Sequence, residues 1–267
     1  MFKKLTWLLK RHPFLYRTRF KLLSKQVTEK DIDNCNYNND NPKNKIPAIY
    51  WEKNREIFHS GMPTSDFEKV KTISIWLQDN VKGGPGLSQP SDTALKMMLK
   101  GEGGVCSDFA QVFNNFCVIN DIKVREWGTT RIPFTKEFGG HSFNEVFIAE
   151  WNQWMMIDVY YCLWFKDLEN NKLSTLGYFK SQRLNVIVNA EMYYPNKRLE
   201  SKTLERNYYK SGLLPFVICR YDNKNYDILL KNTRSWLPVF ISHFLMVVIG
   251  KTYHYRFPLD NPSSLYR

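Results

Sequence analysis

The sequence predicts an α+β fold in which helices come first along the chain and an antiparallel sheet follows. Apolar residues recur at helical spacing between residues 66 and 117, whereas residues 123–161 contain strand-like runs rich in aromatic and branched side chains. The chain has 267 residues, of which 43% are hydrophobic and 15% aromatic, so it can bury a substantial core. This composition excludes a disordered protein.

Three helices are expected before the sheet. They begin near Asp66, near Ser91, and at or just before Cys106, each behind polar or glycine residues that suit a helix start. The glycines within 83–86 stop the segment after the first helix, and Gly101 ends the second. The third helix therefore opens after a glycine pair, with a cysteine in its first turn.

Three strands are expected at residues 123–130, 142–148 and 153–161. The turn between the last two can lie in either of two places. A turn through 150–151 pairs Phe143 with Asp158 and leaves His141 on the diagonal, within reach of a hydrogen bond. A turn at 152–153, which local preference favours, moves His141 and Asp158 apart. The sequence leaves this register open.

Cys106 has the surroundings of a nucleophile. Gly103 and Gly104 precede it and permit a close approach to the start of the third helix. In the first helical turn the peptide dipoles favour a thiolate, and unpaired backbone N–H groups can receive a developing oxyanion. Asp108 suits this turn electrostatically, although its charge opposes a thiolate. The alternative is that Cys106 is a small buried apolar residue, as most free cysteines are.

His141 and Asp158 supply the other groups that a thiol nucleophile requires. The thiol needs a base, and the imidazole needs an acid that fixes its tautomer. His141 opens one strand behind two glycines, and Asp158 closes the next strand. A single histidine on a strand is more often structural than catalytic, and Glu145 competes with Asp158 as the orienting acid.

In these segments the chain resembles the transglutaminase-like superfamily, whose members have a papain-like cysteine fold. The shared features are a cysteine at a helix start after a glycine-rich turn, a strand opened by histidine, and a strand that ends in aspartate. The matching residues are Cys106, Asp108, Phe109, Ala110, Gly140, His141, Phe143, Glu145, Trp154 and Asp158. The run 70–80, with Trp76 at an aromatic position, is similar to the family's entry helix. The resemblance covers about residues 60–165.

The resemblance implies a core in which the catalytic cysteine starts a helix packed on an antiparallel sheet. It implies Cys106 as nucleophile, His141 as general base and Asp158 as the orienting acid. The expected substrate contacts are Trp76, Phe143 and Glu145. The chain departs from the family pattern around Ser142 and at residues 159–160, and these changes bear on substrate preference rather than on the chemistry.

The predicted function is acyl transfer through a cysteine thioester, by an amide or peptide hydrolase or by a transglutaminase-type amidotransferase. The expected partner is a peptide or another amide-containing substrate. No metal and no cofactor are expected, since no cysteine pair has the close spacing of a zinc site. Two alternatives stay open. One is an inactive transglutaminase-like scaffold at a membrane surface, and the other, less favoured, is a basic nucleic-acid-binding protein.

The net charge of +12 is concentrated at the start of the chain. Residues 1–30 contain nine Lys or Arg and one acid, Glu29, interleaved with aromatic residues and leucines. Such an arm can pack on the core, lie on an anionic membrane through residues 1–25, or bind nucleic acid. Its apolar stretch is too short for a signal peptide. The five scattered cysteines show no disulfide framework, so we expect a bacterial-type cytoplasmic protein, at most peripheral to the inner face of the membrane.

Three regions are expected: a basic arm with an exposed asparagine-rich connector at 1–58, a transglutaminase-like catalytic core at 59–190, and an extension of unknown role at 191–267. Within the extension, residues 216–230 have the pattern of a hairpin. The uncharged run 236–250 is shorter than the ~20 residues that span a bilayer. It predicts a buried helix or, as an alternative, a helix inserted in a membrane interface.

Overall fold

A computed structural model describes residues 18, 20–132, 140–194 and 199–266, and this part of the chain forms an eight-stranded sheet flanked by helices. The strands are β1 (Ser24–Gln26), β2 (Val124–Arg131), β3 (His141–Ile148), β4 (Gln153–Asp158), β5 (Leu163–Lys166), β6 (Asn189–Met192), β7 (Leu213–Cys219) and β8 (His254–Phe257). Their order is β1-β8-β7-β2-β3-β4-β5-β6, with only the β1–β8 pair parallel. The predicted α+β class is confirmed.

The helices include the three that the sequence predicts before the sheet. The helices are α1 (Tyr37–Asp40), α2 (Ala48–Ile57), α3 (Asp66–Asn80), α4 (Ser91–Leu99), α5 (Cys106–Ile119), α6 (Thr175–Arg183), α7 (Ser201–Leu204), α8 (Asn223–Thr233) and α9 (Val239–Val248). Turns of 3-10 helix lie at Glu29–Asn34, Lys43–Lys45, Ala149–Trp151 and Pro262–Tyr266, and a π-helical turn lies at Glu205–Tyr209. Ser65 caps α3, since its hydroxyl oxygen accepts a hydrogen bond from the Glu68 N–H at 3.3 Å.

The sheet buries side chains on both of its faces. On one face, Val146 and Met155 pack in the cluster that contains Phe116 of α5. On the opposite face, Trp127 and Phe143 pack in a second cluster, which α6 and the Glu205–Tyr209 turn cover. Because side chains alternate along a strand, β2 and β3 contribute to both clusters. Helix α5 is thereby held against the centre of the sheet.

The turn between β3 and β4 settles the register that the sequence left open. Asn144 pairs with Ile157, which is the register of the first of the two predicted turns. Asn152 closes the turn in the left-handed conformation, with a φ of 49°, which asparagine tolerates better than most residues. The register that brings His141 beside Asp158 is therefore confirmed.

The asparagine-rich connector, residues 33–45, is exposed only in part. Asn41 is fully buried, and its side-chain amide bonds the backbone of residues 221–223 through both its nitrogen and its oxygen, each at 2.7 Å. Asn38 bonds the backbone of residues 122–124 in the same way, at 2.9 Å. Short amide side chains can replace a missing backbone partner. The asparagines that suggest a loop therefore tie this region to the sheet and to the start of α8.

The structure contains a disulfide, although the spacing of the cysteines shows no disulfide framework. Cys35 and Cys219 form a disulfide, with Cα atoms 4.9 Å apart, because the Glu29–Asn34 turn packs beside the end of β7. The two cysteines are 184 residues apart, so spacing alone does not reveal the pair. Disulfides are typical of oxidising compartments, so the pairing removes the basis for expecting a reducing one. The free cysteines are Cys106, Cys117 and Cys162.

The C-terminal extension differs from the expected hairpin. After β7, Asp222 caps α8 by accepting a hydrogen bond from the Asn225 N–H at 3.0 Å, so a helix follows the strand. Strands β7 and β8 extend the sheet beyond β2. In α9, Ser242 is buried whereas Phe244 and Val248 are 57% and 66% exposed, so the expected buried helix is buried on one side only. Within the described ranges, every helix is too short or too polar to cross a bilayer.

Candidate active site

Two glycine-containing loops position the start of α5. The Gly84 N–H donates to the Gly104 carbonyl, and the Gly104 N–H donates to the Pro85 carbonyl, each at 2.9 Å. Gly103 has a φ of +154°, and a Cβ there would lie 2.5 Å from the Pro85 carbonyl oxygen. Glycine alone permits this approach. The paired loops hold Cys106 at the first position of the helix.

Asp108 completes this arrangement. Its carboxylate accepts hydrogen bonds from the backbone N–H groups of Val105 at 2.9 Å and of Leu87 at 3.2 Å. It therefore caps α5 and fixes the loop that leads to α4. Burial raises the pKa of Asp108 despite these bonds. These bonds to the backbone explain why an acidic residue, Asp108, lies so close to the candidate nucleophile.

The Cys106 thiol is partly exposed and lies beside His141. Burial acts to raise the pKa of this thiol, but the positive charge of His141, the hydrogen bond to its ring and the Ser142 backbone N–H outweigh burial, so the pKa is lowered. Cys117 is the contrasting case, because it is fully buried without such partners and its pKa is raised well above the usual range. The surroundings therefore favour a thiolate at Cys106 and disfavour one at Cys117.

His141 and Asp158 are joined directly. His141 Nε2 lies 2.6 Å from Asp158 Oδ2, and both side chains are buried. Since the carboxylate occupies Nε2, the ring nitrogen available to Cys106 is Nδ1. Desolvation acts to lower the pKa of His141, but the negative charges of Asp158 and Cys106 outweigh it and raise the pKa to about 10. The structure brings together the three residues that the sequence predicts as catalytic.

Asp158 is held at four points. Its Oδ1 accepts from the backbone N–H groups of Tyr160 at 2.8 Å and Tyr161 at 3.0 Å, and its Oδ2 accepts from His141 and from the Tyr208 hydroxyl. Burial acts to raise the pKa of Asp158, but the charge of His141 and these bonds lower it overall. The carboxylate therefore stays ionised beside the imidazole.

Tyr208 is a site residue that the sequence did not reveal. Its hydroxyl bonds Asp158 and also lies 3.1 Å from His141 Nε2. Its own carbonyl accepts from the Tyr178 hydroxyl at 2.8 Å, which holds the Glu205–Tyr209 turn against α6. No local pattern marks this tyrosine, because it is 50 residues beyond Asp158 in the C-terminal extension.

A cavity of about 490 Å³ opens at Cys106. One wall consists of the start of α5 together with the start of β3. The far wall comes from the C-terminal extension and includes Tyr221, Asp227, His243 and Tyr253. His243 lines the cavity, and its ring packs against Tyr226 with ring centroids 5.6 Å apart.

Glu126 is the second site residue that sequence reasoning missed. It is 2% exposed, lines the cavity, and receives a hydrogen bond from Asn114 Nδ2 at 3.2 Å. Burial, reinforced by the negative charge of Cys106, raises the pKa of Glu126 to about 8. The alternation of β2 could have indicated that Glu126 and Trp127 face opposite sides of the sheet. It could not have indicated that one side meets a cavity.

None of the three expected substrate contacts lines this cavity. Trp76 packs against Phe116, with ring centroids 5.8 Å apart. Phe143 is fully buried in the opposite cluster, and Glu145 is bonded to Arg125. Their substrate-binding role stays a prediction that the cavity does not support. Because Glu145 has its own cation, it also does not act as the orienting acid that the sequence allowed.

The segment that contains these residues is similar to a known protein family. A family model of the transglutaminase-like superfamily matches residues 55–159. One similar solved structure is that of a "Putative Cysteine Protease from Cytophaga hutchinsonii", with 16% identity, a TM-score of 0.34, and 62% of this chain and 57% of that chain covered. No curated protein matches the sequence.

The family match coincides with the segment that supplies the three clustered side chains. It begins within α2, includes the paired glycine loops and α5, and ends one residue after Asp158. Residues 1–17 and 19, which contain most of the basic arm, lie outside the described residues. The expected division at residues 58 and 190 stays a prediction. Over residues 55–159, the chain is similar to the transglutaminase-like superfamily.

Proposed function

We propose that the protein is a cysteine-dependent acyl-transfer enzyme, in which Cys106 attacks an amide carbonyl and forms a thioester. The observation that carries this proposal is the buried imidazole of His141, which bonds Asp158 at 2.6 Å and also bonds the Cys106 sulfur. A thiol so placed has both the base that activates it and an acid that orients the base. The family match over the same segment supports the proposal.

In the proposed first step, the Cys106 thiolate adds to the carbonyl carbon. The developing oxyanion lies near the start of α5, where backbone N–H groups lack helical partners. The C–N bond then breaks, His141 gives its proton to the leaving amine, and a thioester remains. Water or a second amine adds to the thioester while His141 takes its proton, and the C–S bond breaks to release the product.

Hydrolysis and amide transfer use the same protein groups and differ in the nucleophile that reaches the thioester. The alternative in the same fold is an inactive scaffold, and a scaffold does not require any of these protein groups to be reactive. The thiol itself therefore discriminates between an enzyme and a scaffold, and product analysis with and without an added primary amine discriminates between transferase and hydrolase.

The test is a brief iodoacetamide pulse across pH, with the labelled cysteines identified by mass spectrometry. Cys117 and Cys162 are buried, so their slow labelling is uninformative. The informative control is His141→Ala, which keeps the thiol accessible but removes the cation. We expect rapid labelling of Cys106 at pH 6 in the wild type and a shift of its pH midpoint to higher pH in the variant. Equal midpoints in the two proteins contradict the proposal.

We also propose that the surface around α9 contacts an anionic membrane. Four large apolar side chains there are more than half exposed: Trp236 (69%), Phe244 (57%), Val248 (66%) and Ile249 (56%). Residues 1–30 add nine Lys or Arg, each of which contributes ~1 kcal/mol near an anionic surface. The apolar face and the basic arm together suit peripheral attachment. The nucleic-acid alternative stays a prediction.

Vesicle flotation tests this second proposal. We expect the full chain to float with anionic but not neutral vesicles at low salt, and to lose binding after Phe244→Ser with Val248→Ser. The control is Leu184→Ser, because Leu184 is equally apolar and 76% exposed but lies at the end of α6. Absence of binding to anionic vesicles, or an equal loss in the control, contradicts the proposal.

A further inference from the structure

The cavity beside Cys106 has an acidic wall. Asp108, Glu126 and Asp227 line it, and no described residue that lines it is a Lys or Arg. Asp108 is engaged as the cap of α5. Asp227 accepts hydrogen bonds from the Ser91 N–H at 2.7 Å and from the Ser91 hydroxyl. Both therefore hold helix starts in place, while Glu126 has no such task.

Glu126 is an incomplete buried carboxylate. Asn114 Oδ1 accepts from Asn144 Nδ2 at 2.8 Å, which turns the Asn114 Nδ2 toward Glu126 Oε2 at 3.2 Å. Among the described residues, no donor reaches Glu126 Oε1 and no cation pairs with it. A buried acid with a single hydrogen-bond donor is poorly stabilised. A ligand that supplies a positive donor from the cavity completes the site.

The rest of the wall suits the same ligand. Tyr50, Tyr221, Tyr253 and Tyr255 line the cavity, and aromatic faces attract cations. The volume of about 490 Å³ lies within the ~300–1,000 Å³ of ordinary ligand sites. An extended alkyl chain that ends in a charged group fits these dimensions. The cavity also reaches the sulfur, because Cys106 belongs to its wall.

We propose that this cavity binds a cationic side chain of the acyl substrate, an ammonium or guanidinium at the end of an alkyl chain, and that Glu126 selects it. The inference rests on the proposed function and specifies its substrate class as amides that carry a lysine-like or arginine-like group next to the scissile carbonyl. Glu126 acts here as a specificity-determining residue. It takes no part in the transfer of the acyl group.

Charged thiol reagents test the selection directly. Methanethiosulfonates that carry an ammonium, a neutral or a sulfonate group react with Cys106 in the same way, since the thiolate forms a mixed disulfide that carries the group and methanesulfinate is released. Their relative rates therefore report the charge preference of the cavity. We expect the ratio of the ammonium rate to the neutral rate to fall about tenfold in Glu126→Gln, the factor expected for the loss of a charge-assisted hydrogen bond. The matched control is Glu102→Gln, an exposed acid four residues before Cys106. An equal ratio in the wild type and in Glu126→Gln overturns the inference.

A second measurement needs only the wild-type protein and therefore does not depend on the folding of a variant. Butylammonium, butylguanidinium and butanol are compared as protectants of Cys106 against iodoacetamide. We expect protection by the cations and none by butanol, and the stronger cation identifies the lysine-like or arginine-like group. Equal protection by butanol and the cations, or protection by none of the three, overturns the inference. If Cys106 reacts with no reagent, the proposed function fails as well, whereas a reactive thiol without charge preference contradicts this inference alone.

Discussion

Two buried glutamates on neighbouring strands show how differently the two faces of the sheet accommodate a carboxylate. Glu145 on β3 accepts hydrogen bonds from Trp127 Nε1 at 2.9 Å and from the Thr175 N–H at 2.8 Å, and lies 3.4 Å from Arg125 Nη1. Glu126 on β2 has a single amide donor at 3.2 Å. Both side chains are almost fully buried, at 1% and 2% exposure.

The difference teaches that burial of a charge does not by itself mark a functional site. Glu145 has a cationic partner, Arg125, that is itself held in place. Arg125 also pairs with Asp33 at 3.1 Å and covers the Trp154 ring at 3.8 Å. Glu126 lacks such partners and faces a cavity that contains a candidate nucleophile. A ligand is expected where a buried acid with a single hydrogen-bond donor lies next to a thiol whose pKa is lowered.

Replacing Cys106 with alanine is expected to have the largest effect on turnover. It removes the proposed nucleophile, which lies at the cavity that Glu126 lines and, among the described residues, has no counterpart near Glu145. We expect amide turnover to be abolished, with a change in the free energy of unfolding below ~1 kcal/mol since the thiol is partly exposed. Product assays and urea denaturation of Cys106→Ala and of the isosteric Cys106→Ser check this. Substantial turnover in either variant would place the chemistry elsewhere.

Asp158→Asn is expected to have the next largest effect. Loss of the orienting carboxylate lowers turnover by on the order of 10³–10⁴-fold, because the imidazole is no longer held in the required tautomer. The His141 cation also loses its partner, so the pH midpoint of Cys106 alkylation moves upward. The control is Asp121→Asn, whose side chain is 81% exposed and far from the thiol. An unchanged midpoint in Asp158→Asn contradicts the assigned role.

Substitution of each glutamate by glutamine tests the comparison through stability. Glu145→Gln leaves a buried arginine short of a partner and is expected to lower the free energy of unfolding by ~3 kcal/mol. The Glu126 carboxyl keeps its proton in the folded protein at pH 7, because burial raises its pKa to about 8. Glu126→Gln therefore replaces one neutral side chain with another of similar size, and its cost is expected to stay below ~1 kcal/mol. Urea denaturation at pH 7 measures both. Equal losses would show that the two carboxylates contribute alike.

The pH dependence of stability sharpens the same contrast. Burial raises the pKa of Glu126 from 4.5 to about 8. Between these values the folded protein keeps a proton that the unfolded chain has lost, so this group makes the protein less stable as the pH rises through the window. Glu126→Gln lacks this term. We expect its stability relative to the wild type to increase from pH 5 to pH 8, and a constant difference across denaturation curves would contradict the raised pKa.

Tyr208→Phe is expected to have the smallest effect, because it removes one of four donors to Asp158. The loss of one hydrogen bond to a charged group lowers turnover by about tenfold or less and raises the alkylation midpoint slightly. Tyr209→Phe is the matched control, since its hydroxyl lies 3.5 Å from the Val188 carbonyl and does not touch Asp158. Equal rates and midpoints in wild type and Tyr208→Phe would show that the hydroxyl does not position the acid.

The sequence by itself determined the order of the elements and the three candidate catalytic residues. Ser65, Gly103 and Gly104 mark helix boundaries through their own backbone and capping chemistry. The position of Cys106 at a helix start follows from those local signals. His141 and Asp158 could be placed at the ends of strands from sequence alone, because the bounds of a strand also depend on residues that are close together in the chain.

Only the tertiary structure decided which of these groups meet and what surrounds them. The Cys35–Cys219 pair and the Tyr208–Asp158 bond join residues 184 and 50 positions apart, and no spacing rule specifies such closures. Alternation assigned Glu126 to one face of the sheet but could not show that this face meets a cavity. A side chain's face is a local property of the strand, whereas its partners depend on which distant segments pack there.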